Sequence, residues 1–353
     1  MKVTVIGAGI VGAACALACA RRGLDVTVVD RGGLVAGTTG SGEGNILVSD
    51  KAPGPELDLA LYSNEVWRRW EDELDERVPG GIELERKGGL IVSRTGALPA
   101  SPLATACDAA EVRELEPHLS PEIVAGSFFP QDMQVQPARA AVAMLAVARS
   151  LGARLQLHTT VHRVRDVLAD TGSDVVVNCT GAWAAQFGSA PAVQPRRGFI
   201  LVTEPLPPLI RHKVYSADYL DNVASGDADL QSSTVVEGTP AGPVLIGATR
   251  ERVGFARTPN PEALHRLASG AAALFPFLAG VRVMRTYHGF RPYAPDHLPV
   301  IGRDPDDERL WHAHGHEGAG IGLAPGTGEL LGDLLTGVRP GVDPKPFDPG
   351  RAR

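Results

Sequence analysis

Val3-Thr4-Val5-Ile6-Gly7-Ala8-Gly9-Ile10-Val11-Gly12 is the stretch on which the fold turns. Val3 to Ile6 are apolar or β-branched and predict a buried strand. Gly7, Gly9 and Gly12 follow at G-x-G-x-x-G spacing, and residues 13–22 predict an Ala-rich helix ended by Gly23. Gly7 permits a tight turn, Gly9 lets backbone approach a pyrophosphate, and Gly12 lets helix and sheet pack closely. Ile10 and Val11 lie where the helix amino terminus would stabilise phosphate charge. Residues 25–30 predict a second buried strand closed by Asp30, whose carboxylate suits an adenosine ribose. Strand, spacing and acid together predict dinucleotide binding on a parallel βαβ unit; they do not separate a flavin from a nicotinamide. A competing reading exists. Residues 3–20 carry no charge after Lys2 and end Ala18-Cys19-Ala20, like a secretory signal. The glycine spacing and the second strand favour the fold reading.

The 353 residues suggest about two domains. Composition is that of a globular chain, with 44% hydrophobic and 21% charged residues. Scattered glycine (41) and proline (28) predict many tight turns. A net charge of −7 with no basic run argues against nucleic acid or an anionic membrane as partner. Four cysteines without a CxxC pair make no disulfide scaffold, and Cys15 and Cys19 predict helix packing. No stretch reaches transmembrane length, so a cytoplasmic protein without a membrane segment is expected.

Further along, residues 32–45 predict a glycine-rich loop with Thr38, Thr39, Ser41 and Asn45. Helices are expected over 55–76, 109–117, 137–152, 261–275 and 326–336. Strands are expected around Gly88-Gly89, over 175–177, 199–202, 244–246 and 310–314. No linker marks a clean boundary, so the domains should interleave.

Three more motifs carry chemistry. Val177-Asn178-Cys179-Thr180-Gly181-Ala182-Trp183 takes a strand into a Thr-Gly turn, either beside an adenine or as an ordinary turn. Gly289-Phe290-Arg291-Pro292-Tyr293-Ala294-Pro295-Asp296-His297-Leu298-Pro299 rigidifies backbone around one arginine. The Arg291 fork suits a carboxylate; its alternative is an ion pair with Asp296. Gly315-His316-Glu317-Gly318-Ala319-Gly320-Ile321-Gly322 offers amides and a helix end to an anionic group. His312, His314 and His316 alternate on one strand face, but their surroundings do not complete a metal shell, so no metal is expected.

In this order and over essentially the whole chain, the four motifs resemble the FAD-dependent D-amino-acid oxidase-like family. That family includes glycine oxidase, sarcosine oxidase and D-hydroxyproline dehydrogenase. The stretch Gly40-Ser41-Gly42-Glu43-Gly44-Asn45-Ile46-Leu47-Val48-Ser49-Asp50-Lys51 looks most like the branch acting on D-hydroxyproline and related imino acids. The resemblance implies a Rossmann-like α/β FAD-binding domain (1–80, 130–195, 286–353). It is interleaved with an α+β substrate domain on a mostly antiparallel sheet (81–129, 196–285). It implies FAD at Gly7, Gly9, Gly12, Asp30 and Arg31. Thr38, Thr39, Gly40, Ser41, Gly44 and Asn45 would run along its ribityl chain. Val161, Cys179, Thr180, Gly181 and Trp183 would lie by the adenine, and Gly315, Gly318, Ala319, Gly320, Ile321 and Gly322 by the pyrimidine edge. No cysteine follows Cys179, so non-covalent FAD is expected. Arg291 would bind the substrate carboxylate, and Tyr215 or Tyr219 would close over it. The implied chemistry is hydride transfer from a C–H next to nitrogen to flavin N5. His288, His316 and Tyr219 are the candidates for influencing the amine proton. Glu317, beside a reduced flavin, is expected to point away or pair.

The implied activity is an amino- or imino-acid dehydrogenase passing electrons to partner subunits, a flavoprotein or an iron–sulfur protein. The alternatives are a peroxide-forming oxidase, a non-catalytic flavin-binding subunit, and an NAD-dependent dehydrogenase.

Overall fold

The computed structural model describes residues 1–217, 220 and 225–351. Lys2–Ile6 (β1), Asp25–Val29 (β2), Arg154–Gln156 (β8), Val175–Asn178 (β9), Val300–Arg303 (β15) and Leu310–His314 (β16) form one sheet, in the order β15-β16-β9-β1-β2-β8. β1 lies parallel between β2 and β9, with Val5 opposite Val28 and Val177. These strands are valine-rich because both faces of a parallel sheet are covered. Helix α1 (Ile10–Arg21) crosses between β1 and β2 and is almost wholly buried. The residues that could have been a signal segment, 3–20, are therefore a central strand and a core helix. Small side chains let helices approach. A Cβ on Gly328 of the last helix would stand 2.6 Å from the Ala14 carbonyl oxygen.

The second sheet runs β14-β10-β13-β12-β11-β4-β6-β5. Its strands are Gly89–Ser93 (β4), Thr105–Asp108 (β5), Ala125–Phe129 (β6), Gln194–Thr203 (β10), Lys213–Ser216 (β11), Gln231–Gly238 (β12), Val244–Arg250 (β13) and Val283–Tyr293 (β14). All its pairings are antiparallel except β11 with β4. Helices α3 (Ala109–Leu115) and α6 (Pro261–Leu274) cover this sheet through Val112, Leu267 and Leu274, packed on Leu90, Val236 and Ile246. A small ribbon, Asn45–Ile46 (β3) with Met133–Gln134 (β7), ties the chain between the sheets. Helices α2 (Pro55–Asp75), α4 (Pro137–Ser150), α5 (Val164–Thr171) and α7 (Gly320–Thr336) complete the described α-helices. None of the described helices is long and apolar enough to cross a membrane.

Two elements differ from expectation. The proline-rich arginine segment is a strand, β14. It is the edge strand of its sheet, where Pro292 costs no ladder bond on its open side. The division expected at residue 286 falls inside it. The last helix begins at Gly320, not near 326, although Pro325 lies inside it. A proline there removes a helical hydrogen bond. Helix α2 stabilises the disturbed turn. Ser63 Oγ donates to the Gly322 carbonyl (2.6 Å) and accepts from the Gly326 amide (3.0 Å), and Trp67 Nε1 also donates to Gly322 (3.1 Å).

Candidate active site

A cavity of about 600 Å³ lies between the two sheets. At one end the turn after β1 meets the amino terminus of α1. Gly7 has φ +117°, and a Cβ there would press on the Cys179 carbonyl at 2.5 Å. A Cβ on Gly12 would overlap the Gly7 carbonyl oxygen, so Gly12 shapes the turn without lining the cavity. Gly9 is the N-cap of α1 and has no side chain to cap it, and the first turn holds no acidic residue. Gly9, Ile10 and Val11 line the cavity, with the Ile10 amide donating to Thr39 Oγ1 at 3.0 Å. This end thus offers main-chain amides and a positive dipole end to an anion. Asp30 is held facing it by the Ala8 and Gly32 amides, both at 2.7 Å. The Arg31 guanidinium lies 4.4 Å over the Trp183 ring, which stacks on Phe255.

Val161, Cys179, Thr180 and Gly181 line the same end, and Thr38, Ser41 and Asn45 continue along the wall. Gly318, Gly320 and Ile321 bring the start of α7 to the opposite side. Gly40, Gly44, Gly315, Ala319 and Gly322 do not line the cavity. Gly44 has φ +99° and a Cβ there would fall on Val135, while Gly322 packs against Ile46 of β3. They set the loops that carry the lining residues.

The other end is roofed by the second sheet. Gly198 and Ile200 of β10, Ala248 and Arg250 of β13, and Gly289 and Arg291 of β14 face inward. Arg291 Nη1 donates to the Thr249 carbonyl at 2.8 Å, and Gly198 leaves room for the guanidinium because it has no Cβ. The ion pair weighed for Arg291 is absent, since Asp296 is held by Arg351 at 2.8 Å. Glu317 is paired as expected, with Arg196 Nη1 at 2.6 Å and His297 Nδ1 at 3.1 Å. Burial alone would raise its carboxyl pKa, but these two partners hold it below the usual range.

The proton candidates separate. His316 lines the cavity and is buried, with Nε2 2.9 Å from Thr327 Oγ1. Burial lowers its pKa to about 3, so the ring is neutral. His288 is a correction. It lies one pleat away from Arg291, on the other side of β14, between the rings of Phe199 and Phe290, and does not line the cavity. Tyr215 is a second correction. It is fully buried in β11 with its hydroxyl donating to Asp132 at 3.3 Å. Tyr219 lies outside the described residues. His314 bonds His312 at 3.1 Å, and His312 bonds Asp304 at 2.9 Å. Among the described residues no group of three or more His, Cys, Asp or Glu could hold a metal ion. The lining residues that sequence reasoning did not single out include Arg250 and Glu43.

The His316 burial predicts a pH effect on stability. Its folded pKa is depressed, so below the usual 6.5 the unfolded state binds the proton first and stability falls as pH falls. At pH 5.5 this removes about 1.4 kcal/mol relative to neutral pH. Urea unfolding at pH 7.5 and 5.5 should show this loss in the native protein and a smaller one in His316→Gln.

An α/β protein with a glycine turn, an acid facing the cavity beside it and a second sheet roofing that cavity has the architecture of a dinucleotide-binding protein. The family profile "DAO: FAD dependent oxidoreductase" matches residues 2–334, and the chain belongs to that family. Glycine oxidase from Geobacillus kaustophilus is 28% identical, covering 98% of this chain and 95% of that one. The bifunctional protein ThiO/ThiG of Nostoc sp. is 29% identical over 94% of this chain, which spans only about half (52%) of that relative. The crystal structure of glycine oxidase from Geobacillus kaustophilus superposes with a TM-score of 0.85 at 26% identity, covering 99% of both chains. The chain is thus an FAD-dependent oxidoreductase. The donor set fits FAD: main-chain amides at a helix end, a carboxylate facing the cavity that suits a ribose, and the buried Asn45 Oδ1, unpartnered among the described residues.

Proposed function

We propose that this chain oxidises the C–N bond of a small amino or imino acid, with FAD held non-covalently. The observation that carries the reading is Arg291, half-buried in the roof of the FAD cavity with its fork over Gly198. A planar, permanently charged fork recognises a carboxylate, and anchoring the carboxylate fixes which C–H bond faces the cofactor. Similarity to glycine oxidases supports an α-amino acid as substrate. Bound FAD supplies the hydride acceptor. Gly7, Gly9, Ile10, Val11, Asp30 and Arg31 would bind its adenosine and pyrophosphate. Thr38, Thr39, Ser41 and Asn45 would bind its middle, and Gly318, Gly320 and Ile321 its pyrimidine edge. Segments 1–80, 130–195 and 286–353 would form the cofactor side, and 81–129 and 196–285 the substrate side. The neutral His316 would neither repel an ammonium nor compete for a proton near pH 7. Likeness to glycine oxidase supports oxygen as electron acceptor over partner subunits.

The test is product analysis. FAD-loaded protein is incubated in air with glycine, sarcosine, D-proline and D-hydroxyproline. Keto acid or cyclic imine is trapped and peroxide is measured. Stoichiometric product and peroxide from one of these is expected. Product without peroxide would move the acceptor to a partner protein. Neither product nor peroxide, even with an artificial electron acceptor, would contradict the reading.

A further inference from the structure

Glu43 lines the cavity, is only 8% exposed, and has its Oε1 buried without a hydrogen-bond partner among the described residues. Its loop is fixed on both sides, by the 3-10 turn Thr38–Ser41 and by β3, with the left-handed Gly44 seated on Val135. A mobile surface carboxylate would choose water; this one is held inside. A buried carboxylate oxygen left without a donor is disfavoured, so a cationic donor is the partner it lacks. A buried cation in its field, Lys213, is already paired with Glu237, and both side chains are buried.

The second sheet makes room for two charged heads in the same way. The Glu43 carboxylate rests where a Cβ on Gly247 would overlap it, and the Arg291 guanidinium rests over Gly198 beside the Thr249 carbonyl. Gly247 and Thr249 are two residues apart on β13. Both heads line one cavity, so a small molecule bearing both a cationic nitrogen and a carboxylate complements the pair. Ala248, between them, also lines the cavity and adds little bulk.

Resting on the amino-acid reading above, we infer that Glu43 receives the ammonium nitrogen of the substrate while Arg291 holds its carboxylate, so that the site selects zwitterions over plain acids. The carboxylate then fixes the nitrogen as well as the carbon skeleton, and 2-hydroxy acids of the same shape are excluded by the loss of their cation.

The test uses FAD-loaded enzyme and two unreactive probes of one shape, 2-aminoisobutyrate and 2-hydroxyisobutyrate. Neither has a C–H bond to oxidise at the central carbon. Binding is read from the perturbed visible spectrum of the flavin. The native enzyme is expected to bind the amino probe at least tenfold more tightly than the hydroxy probe. Glu43→Gln should lose at least tenfold for the amino probe and less than twofold for the hydroxy probe. If that variant does not retain FAD, Glu43→Asp decides, with its loss again confined to the amino probe. Equal losses for both probes, or no preference in the native enzyme while an amino acid still bleaches its flavin, would overturn the inference alone. Failure of every amino acid to bleach the flavin would overturn the amino-acid reading and this inference with it.

Discussion

Arg291→Ala is expected to raise the KM for a carboxylated amine at least thirtyfold while leaving bound flavin and its spectrum unchanged. A charge-assisted hydrogen bond lost from a water-poor cavity is worth about 2 kcal/mol or more, which is that factor in kcat/KM. The side chain touches the Thr249 carbonyl and the cavity but not the glycine turn that would hold the pyrophosphate. Arg291→Lys should recover only part, because an ammonium cannot reproduce the bidentate fork. Arg250 also faces the cavity and remains in place, so some carboxylate affinity should survive. Steady-state kinetics on a substrate and on the matching amine without its carboxyl separate the effect. The penalty should appear with the first and vanish with the second. An unchanged KM for the carboxylated substrate would remove Arg291 from its recognition.

Gly12→Val is expected to give protein without flavin. Any Cβ at Gly12 overlaps the Gly7 carbonyl oxygen and stands 3.3 Å from the Cys179 Cβ. Neither neighbour can move freely, since the Gly7 amide is bonded to Val29 (2.8 Å) and the Cys179 amide to Ile6 (2.9 Å). Overpacking so enclosed a site costs on the order of 3 kcal/mol, and the displacement is felt where Gly9, Ile10 and Val11 would meet phosphate. The flavin absorbance per protein and the melting temperature should both drop. A control at Gly280, where a Cβ meets nothing within 4 Å and φ is not left-handed, should keep the flavin. Gly12→Val that remains fully yellow would contradict this assignment of the turn.

The first βαβ unit was legible because three independent signals agree: valine-rich strands, glycine spacing and a closing acid. Arg291 was legible because prolines crowd around it. The same prolines hid the fact that residues 283–293 are a strand. Read as a strand, alternation would have separated His288 from Arg291 at once, since they differ by three positions. The start of α7 was hidden because Gly320, Gly322, Pro325, Gly326 and Gly328 are weak helix formers. Its turn persists through Ser63 and Trp67 of α2, a contact no local pattern announces. Glu43 and Arg250 were missed for a related reason. A charge beside glycines or at a strand end looks solvent-exposed until the second sheet closes over it.

The most direct measurement is an anaerobic titration of the purified yellow protein, followed near 450 nm (roughly where oxidised flavin absorbs). Glycine, sarcosine, D-proline and D-hydroxyproline are added in turn, beside acetate and 2-hydroxy acids of the same size. The account predicts that at least one of the amino or imino acids bleaches the flavin and that no acid lacking the nitrogen does. Bleaching by a 2-hydroxy acid, with none by any amino acid, would contradict it.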